Sequence, residues 1–95
     1  MPLKIKWTPS ALGDLAEIRE FIRRDKPGAG KQQAEKIKKS VERLSKFPRS
    51  GKPLSSLPQV LEVVAGSYRI FYRIMPTQVE ILRVYHGKRQ FPSKL

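Results

Sequence analysis

The sequence predicts an α+β fold: a strand, an antiparallel helical hairpin, then a three-stranded antiparallel meander, forming one sheet with the helices on one face. Three observations predict it. Two early segments repeat apolar residues at helical spacing, three late segments are rich in β-branched and aromatic residues, and a proline- and serine-rich stretch divides them. Length sets the scale. A chain of 95 residues buries only about 60–65% of its unfolded surface, enough for one sheet and one helical layer. Residues 1–95 are therefore expected to form a single domain.

LKIKW (3–7) alternates apolar and basic residues, which suits a short strand with one buried face. Its place in the sheet is left open, beyond its joining through the helical crossover. TPSALGDLAEIREFIRRD (8–25) starts a helix: Thr8 can cap it, Pro9 suits its first position, and Asp14 and Glu17 lie towards the positive end of the dipole. Ala11, Leu15, Ile18 and Ile22 fall on one stripe. Gly13 inside this helix costs up to about 1 kcal/mol against Ala, so it is expected to mark a close backbone contact. KPGAG (26–30) turns the chain. A second helix is predicted from about Lys31 to Phe47, with Ala34, Ile37, Val41 and Leu44 inward and Lys36, Lys39, Arg43 and Lys46 outward.

FPRSGKPLSSLP (47–58) reads as a loop that crosses from the helices to the sheet. Strands follow at 60–65, 68–75 and 79–86, joined at Gly66-Ser67 and Pro76-Thr77. Closing the second hairpin on Met75 and Gln78 sets a register in which Arg73 faces Glu80, Tyr72 faces Ile81 and Phe71 faces Leu82. Continued without interruption, it opposes Ile70 to Arg83, Arg69 to Val84 and Tyr68 to Tyr85. The face with Ile70, Tyr72, Ile74, Val79 and Ile81 should pack on the hairpin. The other would carry Arg69, Arg73 and His86 beside Phe71 and Leu82, too apolar to be left to water without a partner.

Charge is the strongest compositional signal. Twenty Lys+Arg against eight Asp+Glu give +12, a field that favours a polyanion or an acidic protein partner. Residues 27–59 carry eight of the positive charges and two of the negative. The chain has no cysteine and one histidine, which excludes disulfides and thiolate sites and argues against structural zinc. No metal or cofactor is expected. The N-terminus lacks a signal peptide's apolar core and no run suits a membrane span, so a cytoplasmic protein without membrane association is expected.

These elements, in this order, resemble the RelE/ParE superfamily of type II toxin–antitoxin modules, and the resemblance covers nearly the whole chain. Its phrases are A..DL..I..FI (Ala11, Asp14, Leu15, Ile18, Phe21, Ile22), L..FP..G (Leu44, Phe47, Pro48, Gly51), Y-R-I-x-Y-R-I (68–74) and V-E-I-L-R-V-x-H-G-x-R (79–89). The resemblance is closer to ParE-like (plasmid stabilisation) members. It implies an inhibitor of DNA gyrase, neutralised by a cognate antitoxin whose acidic C-terminal segment wraps the toxin. RelE-like members are instead ribosome-dependent mRNA endonucleases, with ribosome and mRNA as partners. A non-toxic basic nucleic-acid-binding module is the third reading.

RelE-type cleavage needs a base for the 2′-hydroxyl, cations for the phosphorane and an acid for the leaving oxygen. Under the endonuclease reading the resemblance carries catalytic roles onto Arg69, His86 and Arg89. The family's paired lysines fall instead on Val60 and Glu62, and its late tyrosine on Leu95. His86 is accordingly read as structural, at the end of the same face as Arg69. Arg69, Phe71, Leu82, Arg83 and Arg89 are expected to meet the antitoxin, the arginines through its carboxylates. Arg73 is expected to pair with Glu80. The outward row Lys36, Lys39, Arg43 and Lys46 is a solvated face that the resemblance makes a candidate gyrase-contacting surface. Trp7 is assigned to the core, and Phe91 is left open between core and base stacking.

Overall fold

The structure is a computed structural model and describes residues 2–26, 28–87, 89 and 91. In order it comprises β1 (Lys4–Trp7), α1 (Pro9–Asp25), α2 (Ala29–Arg43), a 3-10 turn at Pro48–Ser50, β2 (Lys52–Pro53), β3 (Leu61–Ala65), β4 (Tyr68–Ile74) and β5 (Gln78–His86). The sheet runs β1-β5-β4-β3-β2. β1 lies parallel to β5, and the other neighbours are antiparallel. The sheet therefore has five strands, one more than the sequence reading. The extra strand is only two residues long and contains Pro53, which suits an edge because proline cannot donate to a ladder. No described helix is long and apolar enough to cross a membrane.

The capping chemistry of α1 is as its sequence suggests. Thr8 Oγ1 accepts from the Ala11 amide at 3.2 Å, and Pro9 stands first in the helix. Two expectations inside α1 are corrected. A Cβ built on Gly13 would meet nothing within 4 Å, so the glycine serves no close approach. Asp14 lies beyond the first turn and is spent on β5 rather than on the helix dipole. The second helix also stops earlier than Phe47. Leu44 and Ser45 donate to the carbonyls three residues back, at 2.9 and 3.1 Å, which tightens the last turn. Phe47, held off the helical region by Pro48, has φ −126° and ψ 64°.

One face of the sheet packs on the hairpin. Ala11, Leu15, Ile18, Ala34, Ile37, Val41 and Leu44 meet Ile70, Tyr72, Val79, Ile81 and Val84, with Trp7 half-buried at the margin. Inside this layer the Tyr72 hydroxyl donates to Pro48 O (2.7 Å) and accepts from the Gly51 amide (2.9 Å). Those bonds tie the FPRSG turn to the sheet, and burial pushes the Tyr72 phenol above its ordinary value. Gly51 has to be glycine: a Cβ there would press on the Tyr72 ring and lie 2.9 Å from the Glu62 carbonyl oxygen.

The expected register holds at one end of the last hairpin only. Ile74 faces Val79, Arg73 faces Glu80 and Tyr72 faces Ile81, but Phe71 faces Arg83. Leu82 has no opposite number, which makes this a β-bulge. Beyond it the pairs become Ile70–Val84, Arg69–Tyr85 and Tyr68–His86. Val84 therefore joins the helix-side core, Tyr85 moves to the outer face, and His86 faces the helices rather than sharing a face with Arg69.

Candidate functional site

The bulge lies where β1 ends. β1 pairs with Gln78 through Ile81, so the edge of β5 is uncovered from Leu82 onward, and the start of α1 fills the gap. The Thr8 amide and hydroxyl both donate to Ile81 O, at 3.1 and 2.8 Å. Asp14 takes the next open donor, the Val84 amide, on Oδ2 at 2.9 Å. The same carboxylate accepts a forked pair from Arg83: Nε to Oδ2 at 2.8 Å and Nη2 to Oδ1 at 2.7 Å. Asp14 is 6% exposed, the one buried charged residue among those described. The hydrogen bonds that Arg83 donates to Asp14, helped by the carboxylate's charge, raise the Arg83 pKa above its usual range. Arg83 thus belongs to the joint between α1 and β5.

The outer face is partly covered by the chain itself. Val60, Phe71 and Tyr85 are buried there beneath Leu54, Leu57, Leu82 and Phe91. The Phe71 ring meets those of Phe91 and Tyr85 at centroid distances of 4.8 and 5.5 Å. Phe91 therefore packs, which resolves its two readings, and Phe71 at 0% exposure is no surface contact in this conformation. The loop read from 47–58 as a crossing lays Leu54 and Leu57 over it. Arginines border the cluster: Arg69 lies 5.0 Å from the Phe71 centroid and Arg89 4.2 Å from that of Tyr85. Such stacking suits a guanidinium at an aromatic edge. Arg69 is also paired with Glu62 and donates to Arg89 O at 3.1 Å. Arg73 pairs with Glu80 at 2.6 Å.

His86 sits apart from Arg69. It is exposed, edge-on to Tyr68 at 5.1 Å, and lines a groove of about 480 Å³ with Phe21, Val84 and Arg89. The structure thus brings His86 and Arg89 to one groove and leaves Arg69 on the other face. Of the expected antitoxin contacts, Arg89 is exposed, Leu82 and Arg69 are half-buried, Arg83 is engaged by Asp14 and Phe71 is enclosed. Lys36, Lys39, Arg43 and Lys46 are all exposed, with Lys46 beyond the end of α2. Leu95 lies outside the described residues. Two features went unread in the sequence. Asp14 reads as a helix-dipole charge and as part of the A..DL..I..FI phrase, with nothing to mark β5 as its partner. Leu54, Leu57 and Val60 show a signal of their own, an apolar residue at every third position among serines, a proline and a glutamine.

A helical hairpin on one face of a mixed sheet, with arginines gathered on the other, is the architecture of the RelE/ParE toxins. The chain belongs to this class, and within it to the family described as the ParE toxin of the type II toxin–antitoxin system, parDE, which matches residues 5–91. A relative described as putative toxin Y4kP of Sinorhizobium fredii is 37% identical over 97% of this chain and 96% of its own length. Toxin RelE2 of Caulobacter vibrioides is 31% identical over 90% of this chain and 97% of its own. Among solved structures, a chain of the chromosomal ParDE system from P. aeruginosa superposes with a TM-score of 0.81 at 20% identity, covering 90% of this chain and 97% of that one. A chain of the RelBE2 toxin–antitoxin complex from Mycobacterium tuberculosis gives 0.69 at 31% identity, covering 90% and 99%.

Proposed function

We propose that this chain inhibits DNA gyrase without cleaving RNA, and that a cognate antitoxin with an acidic C-terminal segment neutralises it. One observation carries the choice of target. The bulge at Leu82 leaves His86 and Arg69 on opposite faces of the sheet, and Arg69 is occupied by Glu62. RNA cleavage by transesterification needs a proton acceptor, a proton donor and phosphate-binding cations converging on one group. Val60, where the endonucleases carry a lysine, is fully buried. The remaining cations suit recognition of carboxylates and an anionic target. The exposed row Lys36, Lys39, Arg43 and Lys46 is the proposed gyrase-contacting surface. The antitoxin reading rests on the net charge of +12 and on similar chains found in ParDE and RelBE2 systems.

The test is a cleavage assay with purified chain, gyrase, ATP and supercoiled plasmid. Linear product that depends on the chain is the expected result. A second reading, as a ribosome-dependent mRNA endonuclease, is favoured by the 31% identity to a toxin named RelE2. It predicts untouched gyrase, mRNA cleavage on ribosomes, and loss of toxicity in His86→Ala and Arg89→Ala variants that remain folded. Co-purification with the product of the adjacent reading frame, with growth arrest relieved, tests the antitoxin; two proteins that fail to associate would remove that partner.

A further inference from the structure

The most basic part of the chain overlaps the proposed target-contacting row, sharing residues with it, Arg43 among them, and is separate from the aromatic cluster and from His86. Seven of the twenty Lys+Arg fall between Lys36 and Lys52, with Glu42 the only acidic residue in that span. Part of this charge borders a groove of about 370 Å³ between the end of α2 and β2–β3. Arg43 and Lys52 stand on its wall, both exposed, and neither joins an ion pair among the described residues. Ser40 and Ser50 line the same groove and add hydroxyl donors. Glu62, the one carboxylate on the wall, is engaged by Arg69. Two unpaired cations with two hydroxyls make a receptor for a phosphate, and the exposed Val64 offers an apolar surface to a sugar.

A second feature lies on the segment that joins two of the lining residues, Arg43 and Ser50. Phe47 is 62% exposed. It is fixed in space: its amide donates to Arg43 O at 3.0 Å, and its carbonyl accepts from the Ser50 amide at 3.1 Å. The ring is thus carried on the short turn that joins Arg43 to Ser50, within the same basic segment. Neither the helix-side core nor the outer cluster takes it up. An exposed aromatic ring among cations is how proteins hold an unpaired base beside its backbone.

We infer that the groove between α2 and β2–β3 binds single-stranded nucleic acid, with a backbone phosphate between Arg43 and Lys52 and a base stacked on Phe47. The inference does not depend on gyrase being the target. Duplex is disfavoured because its bases are already stacked and offer Phe47 no free face, whereas RNA and DNA share the chemistry and are distinguished by the test.

Fluorescence anisotropy would follow the full chain binding labelled oligo-dT, oligo-rU of the same length, and a DNA duplex across a salt series. Single strands should bind more tightly than duplex, and the comparison of dT with rU names the natural sugar. Phe47→Ala should weaken single-strand binding about tenfold, within the range for loss of one stacked base, without changing the salt slope. Arg43→Ala with Lys52→Ala should instead lower the slope by about 1.4, two phosphate contacts at about 0.7 each. Lys4→Ala with Lys6→Ala removes the same charge from the opposite edge of the sheet, where both lysines are exposed, and should change the slope less. All the substituted side chains are solvent-exposed, so melting temperatures should match the parent, and Phe47→Trp should retain binding. Tighter binding of duplex, an unaffected Phe47→Ala, or an equal fall in slope for the control pair would each overturn the inference.

Discussion

Ile70 and Phe71 are neighbours on β4, both fully buried, yet they sit in two different environments. Ile70 points into a layer closed by two helices and belongs to the cluster that they form with the sheet. Phe71 points into a small aromatic cluster roofed by a loop and by Phe91, with guanidinium groups at its margin. The first is a core in the ordinary sense. The second is a binding-type surface (aromatic rings, arginines, paired carboxylates) over which the chain has folded its own cover. Equal burial on the two faces thus conceals unequal freedom to rearrange.

That contrast can be broken from either side. Ile70→Ala should cost about 3–4 kcal/mol in chemical denaturation, because the helices cannot close the space left behind. Phe71→Ala removes more volume yet should cost less, about 2–3 kcal/mol, since the loop and Phe91 can settle into it. Equal or greater loss for Phe71 would make the outer cluster a rigid core and end the distinction. Asp14→Ala attacks the joint between the layers. It strips both the Val84 amide and the Arg83 guanidinium of their acceptor, and should cost about 3 kcal/mol by the same measurement. The partial exposure of Arg83 keeps this near the low end for a broken ion pair.

Tyr72→Phe should cost about 1 kcal/mol, the net worth of its lost hydrogen bonds, and it has a pH signature. Burial holds the Tyr72 phenol above its ordinary value of 10.0. As pH rises past 10, the unfolded chain releases a proton that the folded chain still holds, so stability must fall. The Phe variant should show a shallower alkaline limb, with Tyr68, whose phenol burial also raises, supplying part of what remains. The smallest effect has the opposite sign. Gly13→Ala should stabilise the chain by about 0.5–1 kcal/mol in thermal or chemical unfolding, because the methyl group meets open space.

Much of the helix-side layer was legible because spacing alone decides it. Ala11, Leu15, Ile18 and Ile22 can share a stripe only in a helix, and the β4 residues at 70, 72 and 74 can share a face only in a strand. The 3-10 turn also left a trace, since the glycine of FP..G is required by the Tyr72 hydroxyl. The outer face was harder to read. Leu82 is apolar and fits an unbroken alternation as well as a bulge does, so nothing in VEILRVYH marks the slip. The bulge is fixed by Thr8 and Asp14, some 70 residues away in sequence, and a local pattern carries no trace of such a partner. β2 escaped for a simpler reason: two residues have no periodicity.

Leu82 also changes what it means to count along this strand. It is the spare residue of β5, present in the chain but absent from the pairing, so the neighbouring strand and not the residue number determines which way later side chains point. A chain that dropped Leu82 would lose its packing over Phe71 yet leave Val84, Tyr85 and His86 on their present sides. One that kept every residue but ironed the strand flat would turn all three over. Within such a family the histidine of V-x-H-G can therefore keep its letters and its distance from the Y-R-I phrase while facing a different compartment of the molecule.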